Sequence, residues 1–440
     1  MSDVALGGWS FAVLLLLIFL RMPIGLAMLV VGLVGNVLVN GSWTPLLAQL
    51  KSLTYESFSS YSLSIVPLFL LMGQFATRGG MSRQLFDAAA ALLGHRKGGV
   101  AMAAVGACAG FGAICGSSLA TAATMAKVAI PEMRRFGYSG ALSTGCLAAG
   151  GTLGILIPPS VILVIYAILT EQNIAKLFLA AVLPGVLAAL GYMLAIAVYV
   201  RLRPDAAGRR DKADREERVA ALIAVWPVLV VFIAVIGGIY LGIFTPTEGA
   251  AVGALGTGLI ALANGALGPR ALIEALLETA VATAMIFFIV FGAAVFNTFL
   301  AFSQLPQELA QSVMEAGLDP WTVLAAILLC YLAFGCVMDS LSMILLTIPI
   351  FFPLVSGLDF GLGPEEFAIW FGILVLIVVE VGLITPPVGM NLFVINSLSE
   401  DVPMSATFRG VIPFVASDIL RIIILVAFPS ITLVMLRILY

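Results

Sequence analysis

Charge is what this sequence has least of. Only 10% of its 440 residues are Asp, Glu, Lys or Arg, and 62% are hydrophobic. A soluble globular chain carries about 25% charged and about 45–50% apolar residues. The deficit excludes a soluble enzyme, a nucleic-acid binder and a disordered scaffold. Histidine occurs once, at His95, and the five cysteines (Cys108, Cys115, Cys146, Cys330 and Cys336) form no CxxC pair and no Cys/His cluster. They read as small packing residues of apolar segments, not as a metal or redox centre. No GxxxxGK[ST] occurs, so this chain has no P-loop for ATP. Gly110, Gly112 and Gly116 have the wrong spacing for a dinucleotide loop. The apolar stretch 9–20 lacks a basic n-region and a small-residue cleavage site, and reads as a retained transmembrane helix, not a signal peptide. A net charge of −3 favours no anionic partner.

What is present is apolar sequence in long unbroken stretches, with a mean hydropathy of +1.15. The alternation of outer-membrane strands is missing, so the expected fold class is an all-α polytopic membrane protein. One segment is strongly hydrophilic. Residues 201–218, RLRPDAAGRRDKADREER, hold seven of the 21 Lys and Arg, which places them on the cytoplasmic side. They also divide the chain almost in half, into 1–200 and 219–440.

The halves match in order. Pro23 and Gly25 answer to Pro246 and Gly249, and Ile130-Pro131 to Ile348-Pro349. GTLGILIPPS at 151–160 answers to VGLITPPVGMN at 381–391, with the proline pairs 228 positions apart, and Pro184 answers to Pro413. Recurrence at a near-constant offset marks an internal repeat. Charge then relates the copies. Residues 78–97 and 127–135 carry Arg78, Arg83, Arg96, Lys97, Lys127, Arg134 and Arg135, whereas their counterparts 303–319 and 350–367 contain no Lys or Arg. The positive-inside rule makes the first pair cytoplasmic and the second external, so the repeats are expected to be inverted relative to each other.

Residues 98–126 have basic flanks on both sides, which puts both ends on one face. A re-entrant hairpin satisfies that, and 320–349 is expected to be its partner, entering from outside. Five spans per half complete the reading. They fall near 6–20, 24–41, 60–77, 138–170 and 174–200, then 219–242, 246–263, 277–302, 367–398 and 411–438, with both termini external. Residues 42–60 read either as an interfacial segment or as an external loop.

Two of these spans, 138–170 and 367–398, are too long for an ordinary crossing, and each contains a Pro-Pro pair. Consecutive prolines remove backbone donors and clash with the preceding turn, so both helices are expected to break near mid-membrane. Paired breaks at matching positions point to a transporter binding site. The hairpin tips supply the other half of that site. Ser117-Ser118 in one, and Asp339-Ser340 with Ser342 in the other, open new half-helices either as caps or as polar groups facing the site. Half-helix N-termini suit a carboxylate. Freed carbonyls, with the side chains of Thr152, Thr385 and Asn391, suit a hard cation such as sodium. The acids within membrane depth are Asp339, Glu380 and Asp418, each a functional candidate. Glu380 reads equally as a packing partner or a coupling carboxylate. Asp418 and Arg421, three apart on one helix, read as a local ion pair.

The inverted halves, the CGSS tip, GTLGILIPPS and GLITPPVGMN resemble the large membrane subunit of TRAP (tripartite ATP-independent periplasmic) transporters over essentially the whole chain. The resemblance implies a secondary transporter of a bacterial or archaeal inner membrane. Such a protein imports C4-dicarboxylates, keto acids or sugar acids with sodium, uses no cofactor beyond that coupling ion, and is no enzyme. It also implies a periplasmic substrate-binding protein and a small four-helix membrane subunit as partners, the latter on a separate chain, all within membrane lipid. Carried onto this sequence, the first sodium site would use Ser117 with Gly151, Thr152, Gly154 and Pro158. The second would use Asp339 and Ser340 with Gly382, Thr385 and Pro386. Substrate would lie between the tips, at Ser117, Ser118, Ser340, Thr385 and Asn391. An elevator mechanism is implied, with hairpins and broken helices moving as a block. The alternatives are a stand-alone sodium/dicarboxylate carrier needing no binding protein, an intramembrane protease built on Asp339, or a passive channel.

Overall fold

A computed structural model describes residues 2–439, and these form twenty α-helices. The first half contributes α1 (Asp3–Phe19), α2 (Ile24–Asn40), α3 (Thr44–Ser59), α4 (Ile65–Arg78), α5 (Met81–Leu93), α6 (Gly99–Cys115), α7 (Ser118–Arg135), α8 (Gly140–Leu156), α9 (Val161–Leu169) and α10 (Ile174–Leu202). The second contributes α11 (Arg215–Tyr240), α12 (Pro246–Ala263), α13 (Pro269–Ser303), α14 (Leu305–Glu315), α15 (Pro320–Gly335), α16 (Ser340–Ser356), α17 (Pro364–Leu383), α18 (Met390–Ser397), α19 (Met404–Ala427) and α20 (Pro429–Leu439). Many start on a side-chain cap. Asn173 accepts from the Ala175 and Lys176 amides, Asp319 from Thr322, and Thr245 with Glu248 closes a capping box. Such caps satisfy the orphan donors of a helix's first turn.

Burial sorts the helices into an inner and an outer set. From Leu142 to Leu156 every residue of α8 is buried, and so is every residue of α17 from Phe367 to Leu383. These two helices form the centre. The arms of the first hairpin, α6 and α7, pack on α8, and those of the second, α15 and α16, pack on α17. The halves also interlock: α9 lies against α16 and α17, and α18 against α7 and α8. Tyr166 on α9 donates to the Ala368 carbonyl of α17 at 2.6 Å. Outside this centre α2 packs on α13 and α12 on α4. The outward faces of α10, α11 and α13 carry exposed Leu194, Ile233, Trp226 and Val281, as lipid-facing helices do.

Five helices are long and apolar enough to cross a membrane, and two bent pairs, α3 with the segment 61–78 (44°) and α8 with α9 (45°), raise the number to seven. The segments expected at 6–20 and 24–41 are helical but short, at 17 residues each, and 246–263 is an 18-residue helix that falls short of the other spans in hydropathy. Elsewhere the expected boundaries need correction. Of the two readings of 42–60, the loop is excluded, because residues 44–59 are a helix packed on α13. The hairpin arms run beyond 126 and 349 to Arg135 and Ser356, because α7 absorbs Pro131 and α16 absorbs Pro349 and Pro353 without breaking. The span expected at 411–438 is two helices. Phe428, driven out of helical geometry (φ −129°, ψ 75°) by the following Pro429, separates them. Residues 81–93 and 305–315, read only as polar flanks, are the helices α5 and α14.

Candidate functional site

Each hairpin reverses at a short non-helical tip. In the first, Gly116 takes a left-handed conformation (φ 64°) that favours glycine. Ser117 then caps α7 by accepting from the Ala120 amide at 3.4 Å. In the second, residues 336–338 make the turn and Asp339 caps α16 through the Ser342 amide at 3.0 Å. Ser118 and Ser340 are therefore the first residues of two half-helices whose N-termini lie inside the protein.

Each tip meets the break in the long helix beside it. Residues 157–160 separate α8 from α9, residues 384–389 separate α17 from α18, and the Pro158-Pro159 and Pro386-Pro387 peptides are both cis. A methyl group on Gly116 would sit 3.3 Å from the Pro159 carbonyl oxygen. In the other half the Gly389 amide donates to the Cys336 carbonyl at 3.2 Å, and the Cys336 thiol lies 3.7 Å from the Pro386 carbonyl oxygen. One turn before each proline pair, bare backbones touch. A methyl on Gly112 would come within 2.4 Å of Gly154 Cα, and one on Gly382 within 2.5 Å of Gly335 Cα. Gly154 and Gly382 stand 228 positions apart, the offset of the proline pairs.

The structure brings most of the anticipated residues to these two junctions. Gly151 faces the start of α7, 3.1 Å from the Ser118 carbonyl oxygen as measured from an added methyl. Gly154 faces the Ser117 carbonyl at 2.8 Å on the same measure. Thr385 donates to the Val381 carbonyl at 2.6 Å, which leaves its oxygen lone pairs at the break. Asn391 reaches across from α18 to donate to the Ala148 carbonyl of α8 at 3.3 Å. Thr152 is turned elsewhere. Its hydroxyl donates to the Ala149 carbonyl (2.6 Å) and lies 3.0 Å from the Tyr192 hydroxyl, which donates to Asp418 at 2.7 Å. Asp418 also accepts from Arg421 at 2.7 Å, so the local ion pair exists and is fully buried. The two junctions differ in access: Pro158 and Pro159 are buried, Pro386 and Pro387 exposed.

Three side-chain oxygens around the junctions, Ser342 Oγ, Glu380 Oε2 and Asn391 Oδ1, are buried with no partner at hydrogen-bond distance, and Thr121 Oγ1 meets only the Cys115 thiol, a weak partner. Native interiors leave few such groups, and a hard cation is one thing that satisfies them. Thr121 lies 2.5 Å from a methyl placed on Gly154. Its signal in the sequence was its place three residues after Ser118, on the same helix face. Ser160, which caps α9 through the Leu163 amide, sits directly after the proline pair and was equally missed. Glu380 accepts from the Ser340 hydroxyl at 2.9 Å.

Interrupted helices closed by hairpin tips, inside a bundle with an apolar outer surface, define a polytopic helical membrane protein of the secondary-transporter class. Residues 11–431 match the family described as tripartite ATP-independent periplasmic transporter, DctM component. The chain belongs to that family and is the large permease of a TRAP transporter. It is 40% identical over 381 residues to the C4-dicarboxylate TRAP transporter large permease protein DctM of Pseudomonas aeruginosa, covering 86% of this chain and 87% of that one. It is 32% identical over 420 residues to the sialic acid TRAP transporter large permease protein SiaM of Vibrio cholerae, covering 95% and 96%. The crystal structure of the Alcanivorax borkumensis YdaH transporter shares its fold, with a TM-score of 0.65 at 16% identity over 88% of this chain and 90% of that one.

Proposed function

We propose that the chain imports an organic acid across a bacterial or archaeal inner membrane by coupling it to sodium, receiving it from a periplasmic binding protein. A small four-helix membrane subunit on a separate chain would complete the complex. The observation that carries this reading is the pair of tip–break junctions, where each half-helix N-terminus meets the backbone of a helix interrupted by a proline pair, with under-satisfied buried oxygens close by. Sodium would be held at the first junction by the Ser117-Ser118 tip, Thr121 and the carbonyls near Gly151, Gly154 and Pro158. At the second it would be held by Asp339, Ser340, Thr385 and the carbonyls near Gly382 and Pro386. Thr152 would contribute through its backbone, since its hydroxyl donates to the Ala149 carbonyl and lies against Tyr192. The substrate carboxylate would face the N-termini of α7 and α16, at Ser117, Ser118, Ser340, Thr385 and Asn391. There, helix dipoles favour an anion. The relatives named for C4-dicarboxylate and for sialic acid are named for carboxylates, which supports that substrate class.

An inverted pair of repeats, 1–200 and 219–440 joined by a cytoplasmic segment 201–218, fits the ion pairs that join distant segments. Arg78 with Glu274 and Glu278, and Arg134 with Asp401, join segments assigned to the cytoplasm. Lys176 with Glu365 and Arg437 with Glu366 join segments assigned to the outside. Among the described residues no ion pair crosses the assignment. Hairpins and broken helices packed into one central body, inside an outer set of helices, support an elevator movement of that body. Two sodium ions with a monocarboxylate would carry one net charge inward, worth about 2.3 kcal/mol per 100 mV.

The test is uptake into proteoliposomes holding the complex, with the binding protein outside and a sodium or a potassium gradient. Ser118→Ala and Thr385→Ala are each expected to raise the sodium concentration for half-maximal uptake severalfold. Unchanged sodium dependence in both removes these residues from the ion sites. Full uptake without the binding protein would favour a stand-alone carrier.

A further inference from the structure

Glu380 is 2% exposed, in the last turn of α17, and among the described residues no cation lies within salt-bridge distance of it. Arg421, the buried cation of this region, is bound to Asp418. A buried carboxylate is costly unless it is compensated. Its surroundings offer an unusual compensation. One oxygen accepts from Ser340, the first residue of α16, and the Ser118 hydroxyl, on the first residue of α7, also interacts with the carboxylate. The N-terminus of α16 is thus bonded to the acid and that of α7 interacts with it, and helix N-termini stabilise negative charge. The second oxygen, Oε2, has no partner at hydrogen-bond distance. Electrostatic interactions reach it from Asp418 and Arg421 on α19 as well. The matching position in the first half, 228 residues earlier, is Thr152, a neutral hydroxyl already satisfied. The acid therefore belongs to one half alone while serving the tips of both.

We propose that Glu380 is a positioning residue that couples the two ion sites, because a single buried carboxylate is bonded to the tip of one hairpin and also interacts with the tip of the other. The inference rests on the sodium-coupled reading above. A cation entering either junction lowers the cost of the Glu380 charge and draws the serine of that tip into place. The shared acid transmits this to the other tip, so the second cation meets a site already ordered. Such coupling is reciprocal and makes binding cooperative.

The experiment is thermal unfolding of the purified full-length chain against NaCl, with KCl holding ionic strength constant, since a ligand that binds the folded state raises the melting temperature with its concentration. The wild-type chain is expected to be stabilised by sodium with a Hill coefficient approaching 2, about the limit for two coupled sites. Glu380→Gln keeps an acceptor for Ser340 but removes the charge. It is expected to melt normally in KCl, to need about tenfold more sodium, and to show a Hill coefficient near 1. A merely structural role would move the KCl melting temperature and leave the sodium curve's shape intact. Wild-type cooperativity in Glu380→Gln overturns the inference alone, and absence of any sodium effect on the wild type overturns the sodium reading with it. Should Glu380→Gln fail to fold, Ser118→Ala, Ser340→Ala and the double variant decide. Non-additive shifts of the sodium midpoint support coupling through the shared acid, and additive shifts overturn it.

Discussion

Single atoms govern the junctions. Gly112 and Gly382 have no left-handed backbone to excuse them; they are glycine because another backbone lies where Cβ would be. Overpacking of this kind costs about 1–3 kcal/mol, and here it would also push a hairpin arm off its broken helix. Gly112→Ala and Gly382→Ala are therefore expected to lower the melting temperature and to abolish uptake. Gly8→Ala, where an added methyl meets nothing within 4 Å, should do neither. Melting and uptake on the same three preparations check this. A lowered melting point for Gly8→Ala, or none for the other two, would sink the packing argument. The residue scale also shows where sequence reading stops. Asp418 and Arg421 were legible as a pair because they are three apart on one helix. Tyr192, 226 positions from Asp418, was not, and neither was the bond from Ser340 to Glu380, because no spacing rule reaches across the fold.

At the scale of elements, the interruptions that carry the site were legible, since Pro-Pro and a Gly-Ser tip act on their own backbone whatever surrounds them. The expected breaks at 138–170 and 367–398 fall at 157–160 and 384–389. A single proline was less informative. Pro131, Pro184, Pro349 and Pro413 lie within continuous helices, while Pro429 ends one. Neighbouring helices decide whether the freed carbonyl is satisfied, and neighbours are a tertiary fact. The helices α5 and α14 escaped notice for a related reason. They are amphipathic and held by packing, with few of the apolar runs that announce a span. Helices α8, α10 and α19 are tied by the chain Thr152–Tyr192–Asp418–Arg421. Removing one partner of a buried ion pair strands the other, at about 3–5 kcal/mol. Losing a neutral hydroxyl costs about 1–3 kcal/mol. Asp418→Asn should therefore destabilise more than Tyr192→Phe, and adding Arg421→Met to Asp418→Asn should restore part of the loss. Thermal unfolding of the four chains ranks them, and a double variant less stable than Asp418→Asn would refute the stranded-charge account.

For the whole molecule, one geometric property decides whether two matching halves make a carrier: they must point opposite ways, so that the hairpin of each enters from a different side and the tips meet inside. The ion pairs give a test independent of the Lys and Arg counts, because each joins parts of the chain that must share a face. Arg78 at the end of α4 with Glu274 and Glu278 in α13 anchors the loop after α12 to the loop before α5. Lys176 with Glu365 anchors the start of α10 to the start of α17, which the inverted arrangement proposed above puts on the other side. The expected outcome follows for the equivalent connectors ahead of the two hairpins. In a chain stripped of its five native cysteines, including the exposed Cys330, Ser312→Cys should react with a membrane-impermeant maleimide on intact cells. Lys97→Cys, exposed on the connector between α5 and α6, should react only after the membrane is opened. Equal reactivity of both sites on intact cells would put the connectors on one side. The tips would then enter from the same face, and a cation at one could not share an acid with a cation at the other, midway through the bilayer.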